Sequence, residues 1–242
     1  MGASMPRAAN GPRVVRVTID PSAYAYPDAP RPWVRATMVT SVDGSAQDAD
    51  GVSGSLGGEP DHRAFTIMRS LAHVVLVGAG TARAEGYGPI TRRDLDAELL
   101  GDRPAPTLVL VTRSLDVPAG LRTEGVAVVT TNGADAEKSL VLEEAGVEVL
   151  RHGDDDIDWP GVLDAFSTRG WDHVLAEGGP TLLGELLGVD VLDELCLTIA
   201  PTAVGGPGPR IVTSSETQPR PLELADSTVV DGVLLTRWLR VR

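Results

Sequence analysis

Short apolar runs recur along the chain, separated by polar stretches rich in glycine and proline. Residues 33–40 (WVRATMVT) read as a strand that stops at Ser41-Val42-Asp43-Gly44, and a glycine-rich loop follows to residue 59. Pro60 suits the first turn of a helix over residues 61–72. The runs 74–78 (VVLVG), 107–112 (TLVLVT), 126–130 (VAVVT) and 147–150 (VEVL) are short enough for buried strands, and 173–177 (HVLAE) is another. Helical patterns cover 137–145, 159–168 and 181–188, while 80–106 reads as a loop with a helical turn near 94–99. The strand at 193–201 cannot continue past Pro201, and two further strands occupy 222–230 and 232–241. Residues 1–31, rich in Pro, Ala and Arg, read as a loose arm ahead of one domain over 32–242.

Apolar strands alternating with helices predict an α/β fold with a mostly parallel, buried central sheet flanked by helices. The last three strands have no helix between them, so antiparallel strands are expected at the C-terminal end.

Composition narrows the function. The chain has 242 residues, 42% of them hydrophobic, which is enough for one full core. A formal charge of −13 argues against nucleic acid as a partner, because phosphate backbones need a basic face. The single cysteine, Cys196, allows neither a disulfide framework nor a cysteine zinc cluster, and its apolar setting reads as core. No apolar run approaches the length of a membrane span, and the N-terminus lacks the apolar core of a signal peptide, so a cytoplasmic protein is expected.

In open α/β sheets ligands bind beyond the carboxyl ends of the strands. Four such ends carry reactive or anion-binding residues: Asp43-Gly44, Gly78-Ala79-Gly80-Thr81, Thr112-Arg113-Ser114 and Glu177-Gly178-Gly179. Glycines at a helix start let a phosphate approach backbone N–H groups, and a guanidinium beside two hydroxyls suits a phosphate monoester. Taken alone, the two glycine elements are equally well ordinary turns, and Thr112-Arg113-Ser114 and Asp43-Gly44 read more readily as an ordinary polar loop and turn. Together they suit a phosphorylated dinucleotide beside a reacting group.

Other chemistries lack their signatures. Gly78 and Gly80 are followed by Arg83 where a dinucleotide fingerprint needs glycine, and no glycine-rich loop ends in Lys-Ser or Lys-Thr. There is no G-x-S-x-G elbow, and no lysine stands four residues after Tyr24, Tyr26 or Tyr87. The histidines at 62, 73, 152 and 173 lack metal-ligand spacing, and Asp154–Asp158 reads as a solvated loop, so no metal site is expected.

The segments SVDG, VLVGAGTARAEGYGP, LVTRS, LAEGGPTLLGELL and VLDELCLTIAPTAVGG together resemble the riboflavin-pathway pyrimidine reductases. These form the C-terminal domain of the bacterial bifunctional deaminase–reductase and have a dihydrofolate-reductase-like fold. The resemblance spans residues 33–241 and is greatest to stand-alone actinobacterial members; the deaminase zinc signature is absent. It implies that NADPH is the cofactor, held by Gly78, Gly80 and Thr81, by Thr112, Arg113 and Ser114 at the 2′-phosphate, and by Gly178, Gly179, Pro180 and Thr181 at the pyrophosphate. Asp43 and Glu177 take the place of the catalytic carboxylates, and Ser41 and Ser45 lie where the substrate would bind; Arg69, on the helix before the 74–78 strand, could also reach the substrate or be a surface helix charge. A homodimer is also implied by the resemblance.

The implied reaction is NADPH-dependent reduction of 5-amino-6-(5-phosphoribosylamino)uracil or a related pyrimidine. Two alternatives stand beside it, a dihydrofolate-reductase-type activity on a pterin and a nucleotide-binding module that holds NADPH without turnover. The sequence departs from the family pattern at Ser45, where a basic residue is usual, and at residues 52–56, which lack an aromatic.

Overall fold

The computed structural model describes residues 18–215 and 219–242; most of the arm expected over 1–31 lies outside them. Among the described residues, nine strands form one sheet in the order β5-β4-β3-β2-β6-β1-β7-β9-β8. The strands are β1 (Trp33–Ser41), β2 (Val74–Gly78), β3 (Thr107–Val111), β4 (Val126–Thr130), β5 (Glu148–Arg151), β6 (His173–Ala176), β7 (Glu194–Ala200), β8 (Leu222–Val230) and β9 (Val233–Arg240). The first seven run parallel, and β9 pairs antiparallel with both β7 and β8. This is the mostly parallel sheet with antiparallel final strands that the pattern predicts.

Among the described residues, six helices connect the strands: α1 (Gly58–Leu71), α2 (Ala79–Ala84), α3 (Ala97–Leu100), α4 (Ala136–Glu144), α5 (Trp159–Thr168) and α6 (Pro180–Gly188). Successive side chains of a strand face opposite sides of the sheet. In β2, Val75 and Val77 enter a core with Ala64, Ile67 and Met68 of α1, while Val74 and Leu76 enter a second core with Trp159, Val162 and Phe166 of α5. Both faces are thus covered, which explains why the inner strands read as unbroken apolar runs.

Two expectations change. Residues 18–31 pack on the body: Pro21–Tyr24 form a 3-10 turn, Tyr24 is buried, and its carbonyl accepts from the Arg35 guanidinium at 2.7 Å. The segment after β2 is not purely loop, because α2 starts at Ala79 and turns the chain sharply at the carboxyl end of that strand.

One structural feature is invisible in the pattern. Arg35 of β1 and Glu194 of β7 are register partners, both side chains are fully buried, and they pair at 2.9 Å. Arg237 of β9 adds its Nε to the same carboxylate at 2.7 Å. Cys196 lies beside this cluster in the core, as its setting implied.

Candidate active site

Strand β6 sits between β1 and β2, so its carboxyl end lies among the strand ends that the chain passes on both sides. Along β6, Val174 and Ala176 face the α5 core and Leu175 faces the α1 core. The same alternation brings the next residue, Glu177, out toward α1. Arg69, in the last turn of α1, meets it through Nε at 2.6 Å and a terminal nitrogen at 2.7 Å. The Tyr87 hydroxyl donates to the same carboxylate at 3.0 Å. Burial, and then the Glu177 charge, holds the Tyr87 hydroxyl well above its ordinary pKa, so it remains a donor at neutral pH. The rings of Phe65 and Tyr87 lie 4.3 and 5.4 Å from the Arg69 guanidinium carbon.

The turn after Glu177 is built for close approach. Gly178 has φ +87°, a side chain there would strike Met38, and the Gly178–Gly179 peptide is cis. The Gly78 N–H donates to the Gly178 carbonyl at 2.8 Å, tying the ends of β2 and β6 together. A Cβ on Gly179 would stand 2.4 Å from the Thr81 hydroxyl, whereas one on Gly80 would meet no atom within 4 Å. The backbone at Gly80 is therefore open to a ligand.

A cavity of about 230 Å³ lies over this turn, with Met38, Gln47, Asp61, Phe65, Tyr87 and Glu177 in its wall. It adjoins a second hollow of about 360 Å³ that shares Asp61, Phe65, Tyr87 and Glu177 and adds Arg69. Ser53 gives its N–H and hydroxyl to Glu85 at 2.8 and 3.0 Å, closing one side. Burial raises the Asp61 carboxyl pKa above its ordinary value, with Thr198 and His62 acting in the opposite direction.

A groove of about 360 Å³ opens on the other side of the turn. It brings together Gly78, Gly80, Thr81, Thr112, Arg113, Ser114, Gly179, Pro180 and Thr181. All the residues expected to hold a dinucleotide line this groove except Gly178, which supports the turn from behind. The groove and the cavity share Gly80, Thr81, Gly179 and Pro180. Past Arg113 the groove continues into a hollow of about 570 Å³ beside α6. Arg113 is half-exposed there and already pairs with Glu185 at 2.9 Å and Asp156 at 3.2 Å.

The other expected site residues stand apart. Asp43 is exposed, does not line the cavity, and accepts from the Val204 and Gly205 N–H groups at 3.1 and 2.7 Å and from the Ser41 hydroxyl. The Ser41 hydroxyl, with these backbone donors, lowers the Asp43 pKa to about 2. Ser45 is buried with its hydroxyl donating to the Gln47 carbonyl at 2.7 Å, so its side chain also turns away from the cavity. Ser41, Asp43 and Ser45 form one tethered turn, whereas Arg69 and Glu177 face the cavity. The sequence reading missed Asp61, Phe65, Glu85 and Gln47. A usable signal was present, since Asp61, Phe65 and Arg69 recur every four residues and so share one face of α1.

The chain resembles known proteins across this whole region. The RibD C-terminal domain family matches residues 32–236. The riboflavin biosynthesis protein RibD of Bacillus amyloliquefaciens is 30% identical over 180 residues, covering 72% of this chain and 47% of that protein. The 2,5-diamino-6-ribosylamino-4(3H)-pyrimidinone 5′-phosphate reductase of Archaeoglobus fulgidus is 25% identical over 185 residues, covering 73% of this chain and 83% of that protein. The chain spans about half the length of the RibD relatives it matches. Among solved structures, a pyrimidine reductase-like protein from Corynebacterium diphtheriae superposes with a TM-score of 0.78 at 26% identity, over 87% of this chain and 92% of that one. Among the described residues, no helix is long and apolar enough to cross a membrane.

Proposed function

The chain belongs to the RibD C-terminal domain family, and on that premise we propose that it is an NADPH-dependent reductase of a ribosylaminopyrimidine 5′-phosphate in riboflavin biosynthesis. The observation that carries this reading is the junction of groove and cavity at Gly80, Thr81, Gly179 and Pro180. A dinucleotide laid in the groove reaches the cavity at that junction, where a small heterocycle has room.

The residues of the groove fit such a cofactor. Gly80 leaves backbone open to a phosphate, the N-terminus of α6 favours an anion, and Arg113 with Ser114 offers a cation and a hydroxyl to a 2′-phosphate. When bound, NADPH supplies the hydride that reduces C1′ of the ribosyl group in its open imine form. The chain orients the two reactants and excludes water. In the cavity, Glu177 is fixed by Arg69 and Tyr87, which leaves it a positioned acceptor for a substrate hydroxyl or N–H. Asp43 serves this site from outside, by holding the 204–205 loop against the end of β1.

NADPH consumption with a ribosylaminopyrimidine 5′-phosphate tests the reading, with dihydrofolate as the comparison substrate. Turnover of dihydrofolate alone would favour a pterin reductase, and tight NADPH binding without turnover of either would favour a nucleotide-binding module. A homodimer remains part of this proposal on family grounds.

A further inference from the structure

Arg113 does not face the groove alone. Its guanidinium pairs with Glu185 at 2.9 Å and with Asp156 at 3.2 Å, so two carboxylates already hold the cation that would meet a 2′-phosphate. The two acids are not equivalent. The Asp156 side chain is 91% exposed, and solvent screens its pair with Arg113, whereas the Glu185 side chain is only 23% exposed. Glu185 lies on α6 one turn after Thr181, and both line the groove. It also borders the hollow that continues past Arg113. One of its oxygens, Oε1, accepts from Arg113, while Oε2 is shut from solvent with no hydrogen-bond partner among the described residues.

A buried acceptor without a partner is costly, and a carboxylate can be satisfied only by a donor. NADH and NADPH differ at one position of the adenosine ribose. The 2′-hydroxyl of NADH is a donor that a carboxylate can accept. The 2′-phosphate of NADPH is an anion that must draw Arg113 away from Glu185 and is repelled by the carboxylate it displaces. We propose that Glu185 sets the choice between the two dinucleotides, competing with a 2′-phosphate for Arg113 and accepting a ribose hydroxyl when the phosphate is absent. The assignment rests on the proposed reductase reading, in which the groove holds a dinucleotide, and names what limits the selectivity of that site. Arg113 favours NADPH and Glu185 favours NADH, so the chain takes both and prefers NADPH only modestly. Asp156, in contact with water, opposes the phosphate far less than Glu185 does.

Fluorescence titrations of the full chain with NADPH and with NADH measure the ratio of affinities without turnover. An unopposed charge-assisted contact to the phosphate would give roughly ten- to hundredfold discrimination, and the wild type should fall below about tenfold. Glu185→Gln keeps the shape and removes the charge, and should raise the preference for NADPH by about tenfold, through tighter NADPH rather than weaker folding. Asp156→Asn should move the ratio by less than about threefold, because its pair is exposed. A wild-type preference above about a hundredfold, a Glu185→Gln ratio within about twofold of wild type, or a shift that Asp156→Asn reproduces in full overturns the assignment. The reductase reading is judged separately by NADPH consumption with the ribosylaminopyrimidine phosphates. Turnover by the wild type with an unchanged ratio in Glu185→Gln would end the role of Glu185 and keep the reductase reading. The expected shift in ratio from a protein that reduces neither pyrimidine would do the opposite, and failure to bind either dinucleotide would end both.

Discussion

Arg69 and Glu177, 108 residues apart in the chain, meet in a bidentate ion pair at 2.6 and 2.7 Å. The pair joins the last turn of α1 to the carboxyl end of β6, the two elements that form the cavity wall. The Glu177 side chain is fully buried and that of Arg69 only 15% exposed, so each charge depends on the other for solvation.

Removing one partner of a buried pair strands the other, at a typical cost of about 3–5 kcal/mol. Arg69→Met should therefore destabilise the protein toward the lower end of that range, because part of the guanidinium still reaches solvent. Urea unfolding midpoints measure the loss. Glu177→Gln should cost less stability, since the amide still accepts from Arg69, but should slow turnover by about tenfold or more by weakening a positioned acceptor.

Arg113 faces the groove with two carboxylates on it. Arg113→Ala should weaken NADPH binding by about tenfold or more while changing NADH binding little, as expected for a lost charge-assisted contact to a 2′-phosphate. Glu185→Gln should do the reverse and tighten NADPH, by freeing the guanidinium from its nearer competitor at 2.9 Å. Cofactor titrations by fluorescence decide both. Equal losses for the two cofactors in Arg113→Ala would remove the 2′-phosphate assignment.

Asp43 has its pKa lowered from 3.8 to about 2 in the folded protein, the Ser41 hydroxyl being the largest cause. A depressed carboxylate pKa contributes stability that is present above the unfolded value and lost as pH falls through the folded one. The stability difference between wild type and Asp43→Asn should hold steady from neutral pH down to about 4, then shrink as pH approaches 2. Denaturant titrations across that range check the sign. Because Asp43 lies outside the cavity wall, turnover in this variant should fall by less than about tenfold, unlike the loss expected of a group that moves protons in the transition state.

Arg35 and Glu194 are paired in full burial between adjacent strands, with Arg237 completing the cluster. Arg35→Ala should cost about 3–5 kcal/mol, because it leaves an acid in the core with one partner fewer. Arg35→Met should recover part of that by restoring packing. The unfolding midpoint of each variant provides the comparison.

Much of this fold was legible because the strands are short, apolar and bounded by glycine or proline. Trp159–Thr168 and Leu222–Val230 fall where the pattern puts them. Helix α2 was hidden because its glycine and alanines, AGTARA, carry no amphipathic stripe. The packed segment at 18–31 was hidden because it is anchored by few side chains, Tyr24 in the core and Tyr26 stacked 4.3 Å from His173. The groove was legible because glycines and an arginine at strand ends have a limited set of uses. Asp61 was not, because an acid in the first turn of a helix already has a reason to be there in the helix dipole. Asp-Gly at a strand end marks a strategic position, but the pattern could not show that the Asp43 carboxylate accepts from the backbone of the neighbouring loop.

The most direct measurement is a single incubation of the folded, NADPH-binding protein with NADPH deuterated at the transferring position of the nicotinamide. Both the 2-amino and the 2-oxo ribosylaminopyrimidine 5′-phosphates are supplied, and the products are read by mass spectrometry. Cofactor oxidation should match formation of a ribitylamino product carrying one deuterium at C1′. A protein that binds NADPH in the groove but transfers no deuterium to either pyrimidine would contradict the reductase assignment.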